Sequence, residues 1–348
     1  MAVLAYIGRF NPWHNGHEIP LLEAIHTTQA KKAVIQIGSS FKPRTEKNPF
    51  SFDERRSIIE SSLRGKLPGG FTLAIKPIKD YYYNEAKWLE QVQESVESEI
   101  TLGEGSITLI GLDKDKSSYY LNSFPQWSYL PSFNHSSIDA TSIRQGYFRA
   151  SGPNFSFLKT MVSKSTLEFL EGFAETPIYD NLVRESEFLK GYKKQWENSP
   201  YPVIFQTVDA VVEASGHILL VRRGGYPGKG LWALPGGFVG QEEALITSVV
   251  RELREETRIG VPHLEKLIIG EKRFDYPGRS ERGRTITTAF HFKLNQLPPK
   301  KDGGLILPIV EGSDDADKAG WFSFSRISKM CSVLYEDHGD IINYFTGV

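Results

Sequence analysis

Glu252, Glu255 and Glu256 stand at i, i+3 and i+4 in a segment without Gly or Pro, Glu242–Thr257, that reads as one helix; there they share a face. Leu245, Ile246, Val249, Val250 and Leu253 form the apolar stripe of the same helix, and Glu256 lies at its margin. Carboxylates crowded at an apolar edge repel one another and resist desolvation unless a cation lies between them. All-oxygen ligands suit a hard ion, Mg²⁺ or Mn²⁺. A second cluster is His14-Asn15-Gly16-His17. Two imidazoles flank a glycine that lets the backbone approach a ligand, which suits donation to phosphate oxygens. One such Glu or His alone would read as solvated surface or core packing.

The elements around these clusters belong to an α/β protein. Ala2–Ile7 reads as a buried strand closed by Gly8, and a helix follows from about Glu18 to Thr28. Strand, glycine-bearing loop and helix form the entry of a Rossmann-type unit. Further strands are expected at Val34–Ile37, Phe71–Ile78 and Ile107–Gly111, and helices at Phe155–Glu171 and Ile178–Trp196. Asn198-Ser199-Pro200 punctuates the chain, giving domains at 1–185 and 201–348 with 186–200 as linker. Strands then recur at Thr207–Val212, Ile218–Arg222, Leu264–Phe274 and Thr285–Leu294, with the glutamate helix between. Arg273, Arg279, Arg282 and Arg284 lie between the last two strands, and some of them, Arg282 first, are expected to grip a diphosphate.

At 348 residues the chain can hold two cores, and a net charge of -1 gives no bulk attraction for nucleic acid or an anionic membrane. One cysteine, Cys331, excludes a disulfide framework and fits a reduced, cytoplasmic setting. The apolar run at the N-terminus is too short for a signal peptide or membrane span. A homo-oligomer is compatible with all of this.

Gly237-x5-Glu243-x7-Arg251-Glu252-Leu253-x-Glu255-Glu256, preceded by Leu231-Trp232-Ala233-Leu234-Pro235-Gly236, resembles the box of the Nudix hydrolases. A chance match of its fixed positions is about one in ten million per start. The resemblance implies an α/β/α sandwich for the second domain and a metal site of Gly237, Glu252, Glu255 and Glu256. The family usually has Gly where this chain has Arg258; a left-handed helix end there would be strained, and Gly260 is expected to take over the turn. Ser313-Asp314-Asp315-Ala316 and Trp321-Phe322 resemble Nudix enzymes that hydrolyse ADP-ribose, with Glu311, Asp314 and Asp315 all open as the loop's acidic residue.

Gly8-Arg9-Phe10-Asn11-Pro12-Trp13-His14-Asn15-Gly16-His17 resembles the archaeal-type nicotinamide mononucleotide (NMN) adenylyltransferases. The resemblance implies substrate contacts by Gly8, Arg9, Phe10, Asn11, Gly16 and, before Asn48-Pro49-Phe50, Arg44. It also implies contacts by Asp113 after the strand Ile107–Gly111, by Asn84, and by Trp88 stacking on nicotinamide. Ile138-Asp139-Ala140-Thr141-Ser142-Ile143-Arg144 is similar to the family's second phosphate motif. Asp139 or Thr141 would cap a helix whose free N–H groups, with Thr141, Ser142 and Arg144, hold triphosphate oxygens.

Together the two resemblances imply a bifunctional enzyme of NAD metabolism. One domain would join AMP from ATP to NMN, with His14, His17 and Arg144 as donors and Mg²⁺ on the ATP. The other would hydrolyse ADP-ribose to AMP and ribose 5-phosphate. Two other readings stay open: a non-catalytic nucleotide sensor in the second domain, and adenylylation of another phosphate, such as phosphopantetheine, by the first.

Overall fold

A computed structural model describes residues 2–100, 105–111, 121–132, 138–294 and 307–348; Asp113 lies outside them. The chain divides into two compact units, Met1–Ser186 and Glu187–Val348.

In the first unit the strands are β1 (Val3–Gly8), β2 (Lys32–Ile37), β3 (Thr72–Pro77), β4 (Ile107–Gly111) and β5 (Ser128–Pro131). They pair in the order β3-β2-β1-β4-β5, all parallel. The helices are α1 (Asn15–Thr28), α2 (Phe52–Leu63), α3 (Glu85–Glu97), α4 (Ala140–Tyr147), α5 (Phe155–Leu158), α6 (Lys164–Ala174) and α7 (Pro177–Lys194). A parallel sheet between helices is apolar on both faces, which is why β1 reads as one continuous apolar run. Leu4 and Tyr6 join one buried cluster with Ile35 and Ile59, while Val3, Ala5 and Ile7 join the other with Val34 and Val92. Strand order reverses around β1, so its carboxyl end opens onto the crevice where such sheets bind ligands. The His-x-Gly-His segment follows β1 directly. The helix expected over Phe155–Glu171 is two helices, because the Ser163 hydroxyl accepts the Thr166 N–H and caps a new start.

In the second unit the sheet runs β10-β11-β6-β7-β12, formed by β6 (Ile204–Ala214), β7 (His217–Arg223), β10 (Ile268–Phe274), β11 (Arg284–Lys293) and β12 (Ala316–Ser323). Short strands β8 (Trp232–Ala233) and β9 (Gly236–Phe238) pair with β7 and β6. Val249 and Leu253 of α8 (Leu245–Thr257) pack on Val208, Ala210, Val212 and Leu219. Asp209 and His291 point to the opposite face, where they meet His338 and Phe345 of α10 (His338–Thr346). A four-residue helix, α9 (Phe324–Ile327), follows β12. The result is an α/β/α sandwich. Among the described residues no helix is long and apolar enough to cross a membrane.

The stretch expected as a linker, 186–200, is helical as far as Lys194. Phe188, Tyr192 and Trp196 recur every four residues on one face. Within the second unit Phe188 packs on Tyr226, and Tyr192 and Trp196 pack on Phe205 with centroids 5.8 and 5.4 Å away. These contacts make a prediction. Aromatic pairs contribute about 0.5–1.5 kcal/mol each beyond their buried area. Three pairs give about 1.5–4.5 kcal/mol, so a fragment starting at Glu187 should melt about 3–18 °C above one starting at Tyr201, at about 2–4 °C per kcal/mol. Equal melting temperatures in calorimetry would mean that the three rings add nothing to this unit.

Candidate functional site

In the first unit the loop after β1 carries the candidate groups. Phe10 has φ 49°, so the chain turns sharply out of the strand. The Phe10 and Trp13 rings are buried against each other with centroids 5.2 Å apart. They form the floor on which His17 sits, 5.0 Å from Phe10 and 5.6 Å from Trp13. His14 is the N-cap residue of α1, which begins at Asn15, three residues before the expected start. Its ring lies 3.6 Å from that of His17, so the two imidazoles form one tilted stack. Gly16 is pressed against this stack: a Cβ there would lie 3.0 Å from the His14 ring. Glu18 anchors the helix behind them, accepting from Trp13 Nε1 at 3.3 Å and from Ser62 and Lys66 of the neighbouring segment.

Arg144 reaches this loop from α4, donating from Nη1 to the Asn11 carbonyl at 3.0 Å. The structure thus brings His14, His17, Asn11 and Arg144 together. It corrects the expectation about the α4 terminus. Asp139 Oδ1 accepts the Thr141 and Ser142 N–H groups at 2.8 and 3.0 Å, and Oδ2 accepts the Ser142 hydroxyl. Those N–H groups are already capped by a carboxylate, so they are not free for a triphosphate. Arg44 is held in a bidentate pair with Glu54, at 2.6 and 2.9 Å. Asn84 caps α3 by accepting the Lys87 N–H. Trp88, on the next turn, is half-buried beside Phe124 at 6.2 Å. Gly8 and Arg9 complete the loop, with Arg9 exposed at its rim.

A residue with no signal of its own in the sequence proves central. Arg55 is fully buried and donates to the carbonyls of Arg9, Gly38, Ser39 and Ser51. Burial lowers its pKa to about 10, against the opposing pull of Asp80 and Glu54. Its guanidinium ties the loop after β1 to the loop after β2 and to the start of α2.

In the second unit α8 starts at Leu245 rather than Glu242, and Ile246 is exposed while Ser248 is buried. Glu243 stays outside the helix because its carboxylate accepts from Ser248 Oγ and from Arg251 Nε, at 2.7 and 2.9 Å. Arg251 also donates to Glu252 and Glu255, at 2.9 and 2.8 Å. Its hydrogen bond to Glu243 raises the Arg251 pKa. The three glutamates are graded in burial: Glu255 exposed, Glu252 half-buried, Glu256 buried. Burial drives the Glu256 pKa up to about 8, against a Gly236 N–H bond of 2.9 Å, and neighbouring Glu252 adds to the rise. Burial raises Glu252 as well. Gly237 lies so near the Glu252 carboxylate that a Cβ would stand 2.5 Å from Oε1.

Three carboxylates clustered at a cradle where only Gly fits, the buried one bonded by a backbone N–H, are a donor set that a hard divalent ion would suit, with Glu252, Glu255, Glu256 and the Gly237 backbone as its candidate ligands. Another acidic group, Glu336, Asp337 and His338, fits less well. Arg279 already takes both oxygens of Asp337, at 2.8 and 2.9 Å, and His338 Nδ1 accepts the Leu234 N–H. Burial opposes the Arg279 charge, but Asp337 outweighs it and raises its pKa. Arg279 is therefore a structural cation. Arg284 bonds the Asp275 carbonyl, and Arg282 lies over the Phe238 ring at 5.2 Å. Arg223 is a cation the sequence did not single out. It lies over the Tyr335 ring at 4.2 Å and acts electrostatically on Glu256.

The loop before β12 is docked on the end of α8 by Glu311 N–H to Thr257 O and Ser313 N–H to Glu256 O, at 2.9 and 3.1 Å. Of its acidic residues, Glu311 pairs with Arg258 at 3.2 Å, and Asp314 is the one whose charge acts on Glu252. Arg258 itself adopts the left-handed cap, φ 49° and ψ 26°, bonding Arg254 O. Gly260 does not take over that turn.

Comparisons agree with both halves. The NUDIX domain model matches residues 204–345 and the cytidylyltransferase-like model residues 5–145. A solved bifunctional NMN adenylyltransferase/ADP ribose pyrophosphatase from Francisella tularensis is 37% identical with TM-score 0.88, over 99% of this chain and 98% of that one. A structure of the same description is complexed with AMP and an Mn ion, at TM-score 0.87. A nicotinamide/nicotinic acid mononucleotide adenylyltransferase from Acinetobacter baylyi is 32% identical over 52% of this chain and 92% of its own. An ADP-ribose pyrophosphatase from Methanocaldococcus jannaschii is 33% identical over 39% of this chain and 69% of its own.

The left-handed Arg258 yields a stability prediction. A non-glycine residue there costs of the order of 1–3 kcal/mol. Arg258→Gly should stabilise the second unit by about 1 kcal/mol and raise its melting temperature by about 2–4 °C, despite loss of the exposed pair with Glu311. An unchanged or lowered value would show that the turn is not strained.

Proposed function

Because the chain belongs to the family of bifunctional NMN adenylyltransferase/ADP-ribose pyrophosphatases, we propose that His14, His17 and Arg144 carry its adenylyl transfer and Glu252, Glu255 and Glu256 its hydrolysis. The first reaction joins AMP from ATP to NMN, giving NAD and pyrophosphate. The second splits ADP-ribose into AMP and ribose 5-phosphate.

For the transfer, an NMN phosphate oxygen attacks the α-phosphorus of ATP and pyrophosphate leaves. Such a step needs alignment and fixed positive donors more than covalent help. The observation that supports this assignment is the stacked imidazole pair at the carboxyl end of β1, with Arg144 tied to the same loop. Gly8, Arg9, Phe10, Asn11 and Gly16 shape the loop around the phosphates. Thr141 and Ser142 serve through their position beside Arg144 rather than through free N–H groups. Asn84 and Trp88 form the candidate nicotinamide wall, with Trp88 half-buried.

For the hydrolysis, the supporting observation is the buried Glu256 beside Glu252 and the tight Gly237. Mg²⁺ or Mn²⁺ bound there would supply Lewis-acid activation of the diphosphate and of water. Arg251 holds Glu252 and Glu255 in register, and the Gly236 N–H fixes Glu256. Of the loop's acidic residues we assign to Asp314, whose charge acts on Glu252, the taking of a proton from water. Arg282 supplies positive charge for the diphosphate. These substrates and the absence of a membrane-crossing helix among the described residues fit a cytoplasmic enzyme.

Two substitutions separate the sites. Glu256→Gln keeps the shape but removes a charge, so ADP-ribose hydrolysis should fall about a thousandfold or more, at about 1.4 kcal/mol per decade. NAD synthesis should stay within about twofold, since its proposed groups belong to the other unit and share no partner with Glu256. Normal hydrolysis by this variant would remove the glutamate face from the chemistry. His17→Ala should lower NAD-forming turnover about 10²–10³-fold, as loss of one transition-state donor does, while NMN still binds. Near-parental turnover would leave the histidine pair a packing feature.

A further inference from the structure

Leu234, Pro235 and Gly236, the three residues ahead of Gly237, each give one backbone group to a different element. Leu234 N–H donates to His338 Nδ1 of α10 at 2.8 Å. Pro235 O accepts Ala210 N–H of β6 at 2.8 Å. Gly236 N–H donates to Glu256 Oε2 of α8 at 2.9 Å. Proline has no N–H, and its ring fixes φ. Pro235 is therefore a stiff link between two donors, one on a histidine and the other on a carboxylate of the glutamate face. The segment has little room to adjust by itself. A Cβ at Gly236 would stand 2.1 Å from Val208 O and 2.9 Å from Asp209 Oδ1, so the chain lies flat on β6.

His338 is itself held in place. It is buried in the first turn of α10, and Asp337 before it takes both hydrogen bonds from Arg279. Tyr335 N–H donates to Trp232 O at 2.8 Å and ties the same turn to β8. Because His338 Nδ1 accepts from Leu234 it carries no proton, so the ring is neutral with its proton on Nε2. Burial favours that state by lowering the His338 pKa, against the charges of Asp209 and Asp337. Nε2 lies 3.8 Å from Asp209 Oδ1, beyond hydrogen-bond reach. We propose that His338 is a positioning residue of the hydrolase: by holding Leu234 N–H it sets, through Pro235, the Gly236 N–H that orients the Glu256 carboxylate. In this way α10 serves the glutamate face from the opposite side of the sheet. The inference rests on the assignment of hydrolysis to that face.

The test uses the full chain and substitutions at one position. An Asn amide oxygen can stand where Nδ1 stands in histidine, whereas a Gln amide reaches to the Nε2 position. His338→Asn should therefore keep the bond to Leu234 N–H, and His338→Gln should lose it. With Mg²⁺, His338→Gln should lower kcat for ADP-ribose about tenfold, within the range for loss of a group that orients a metal ligand, and leave KM within about twofold. Its affinity for Mn²⁺ without nucleotide, measured by calorimetry as the binding that Glu256→Gln removes, should also fall about tenfold. His338→Leu, which fills the space without an acceptor, should behave as the Gln variant, and His338→Asn should restore both parental values. A Gln or Leu variant that melts lower but keeps parental kcat and Mn²⁺ affinity would make His338 a packing residue and overturn the inference. Losses in His338→Asn as large as in the other two would overturn it as well. A parent that neither binds Mn²⁺ nor hydrolyses ADP-ribose would instead overturn the assignment on which it rests.

Discussion

The second unit is governed by a carboxylate that has lost its water. Glu256 is buried at the end of α8, its neighbours include Glu252 and Asp209, and it accepts a backbone N–H from Gly236. Negative charge in such a place costs several kcal/mol unless a cation compensates it. Much of the surrounding construction follows. Gly237 must lack a side chain to leave Glu252 its place. Arg251 gathers Glu243, Glu252 and Glu255 around one guanidinium. The helix begins late because Glu243 is drawn into that same network.

The first unit solves the opposite problem with Arg55, a buried cation served by backbone oxygens. Carbonyl dipoles stabilise a guanidinium without neutralising it, so positive potential remains behind the loop that carries His14 and His17. A site for triphosphate benefits from that residual field. A carboxylate in direct contact would have cancelled it. Asp80, which accepts from Ser39 N–H and Oγ at 3.0 and 2.7 Å, and Glu54 act on Arg55 electrostatically and temper that field.

The fold was legible wherever burial writes a period into the chain. β1, β2 and β4 read as apolar runs because both faces of their sheet are covered. The stripe Val249, Val250 and Leu253 revealed α8. What stayed hidden depends on which of several partners a polar group chooses. Asp139 could be recognised as a cap, but not that its oxygens would close the N–H groups expected to bind phosphate. Arg44 sits in a motif that suggests substrate contact, and Glu54 ten residues later engages it. Arg55 and Arg223 gave no signal, since an arginine looks the same whether it clamps carbonyls, covers a ring or faces solvent. The aromatic spacing of Phe188, Tyr192 and Trp196 was readable at i, i+4, i+8, but the following Asn-Ser-Pro drew attention to a linker instead.

Arg258 shows how a local rule yields to its surroundings. Gly260 stands two residues on and could have provided a relaxed turn, yet the chain turns at Arg258. The loop before β12 explains the choice. Its Glu311 and Ser313 N–H groups need the Thr257 and Glu256 carbonyls, the last acceptors of α8. Running the helix on to Gly260 would consume those carbonyls within the helix and release the loop. Ending at Arg258 keeps Asp314 within electrostatic reach of Glu252. The strain of one left-handed arginine is thus offset by a loop fixed beside the carboxylates it serves, and strain stored next to a site is commonly retained for that reason.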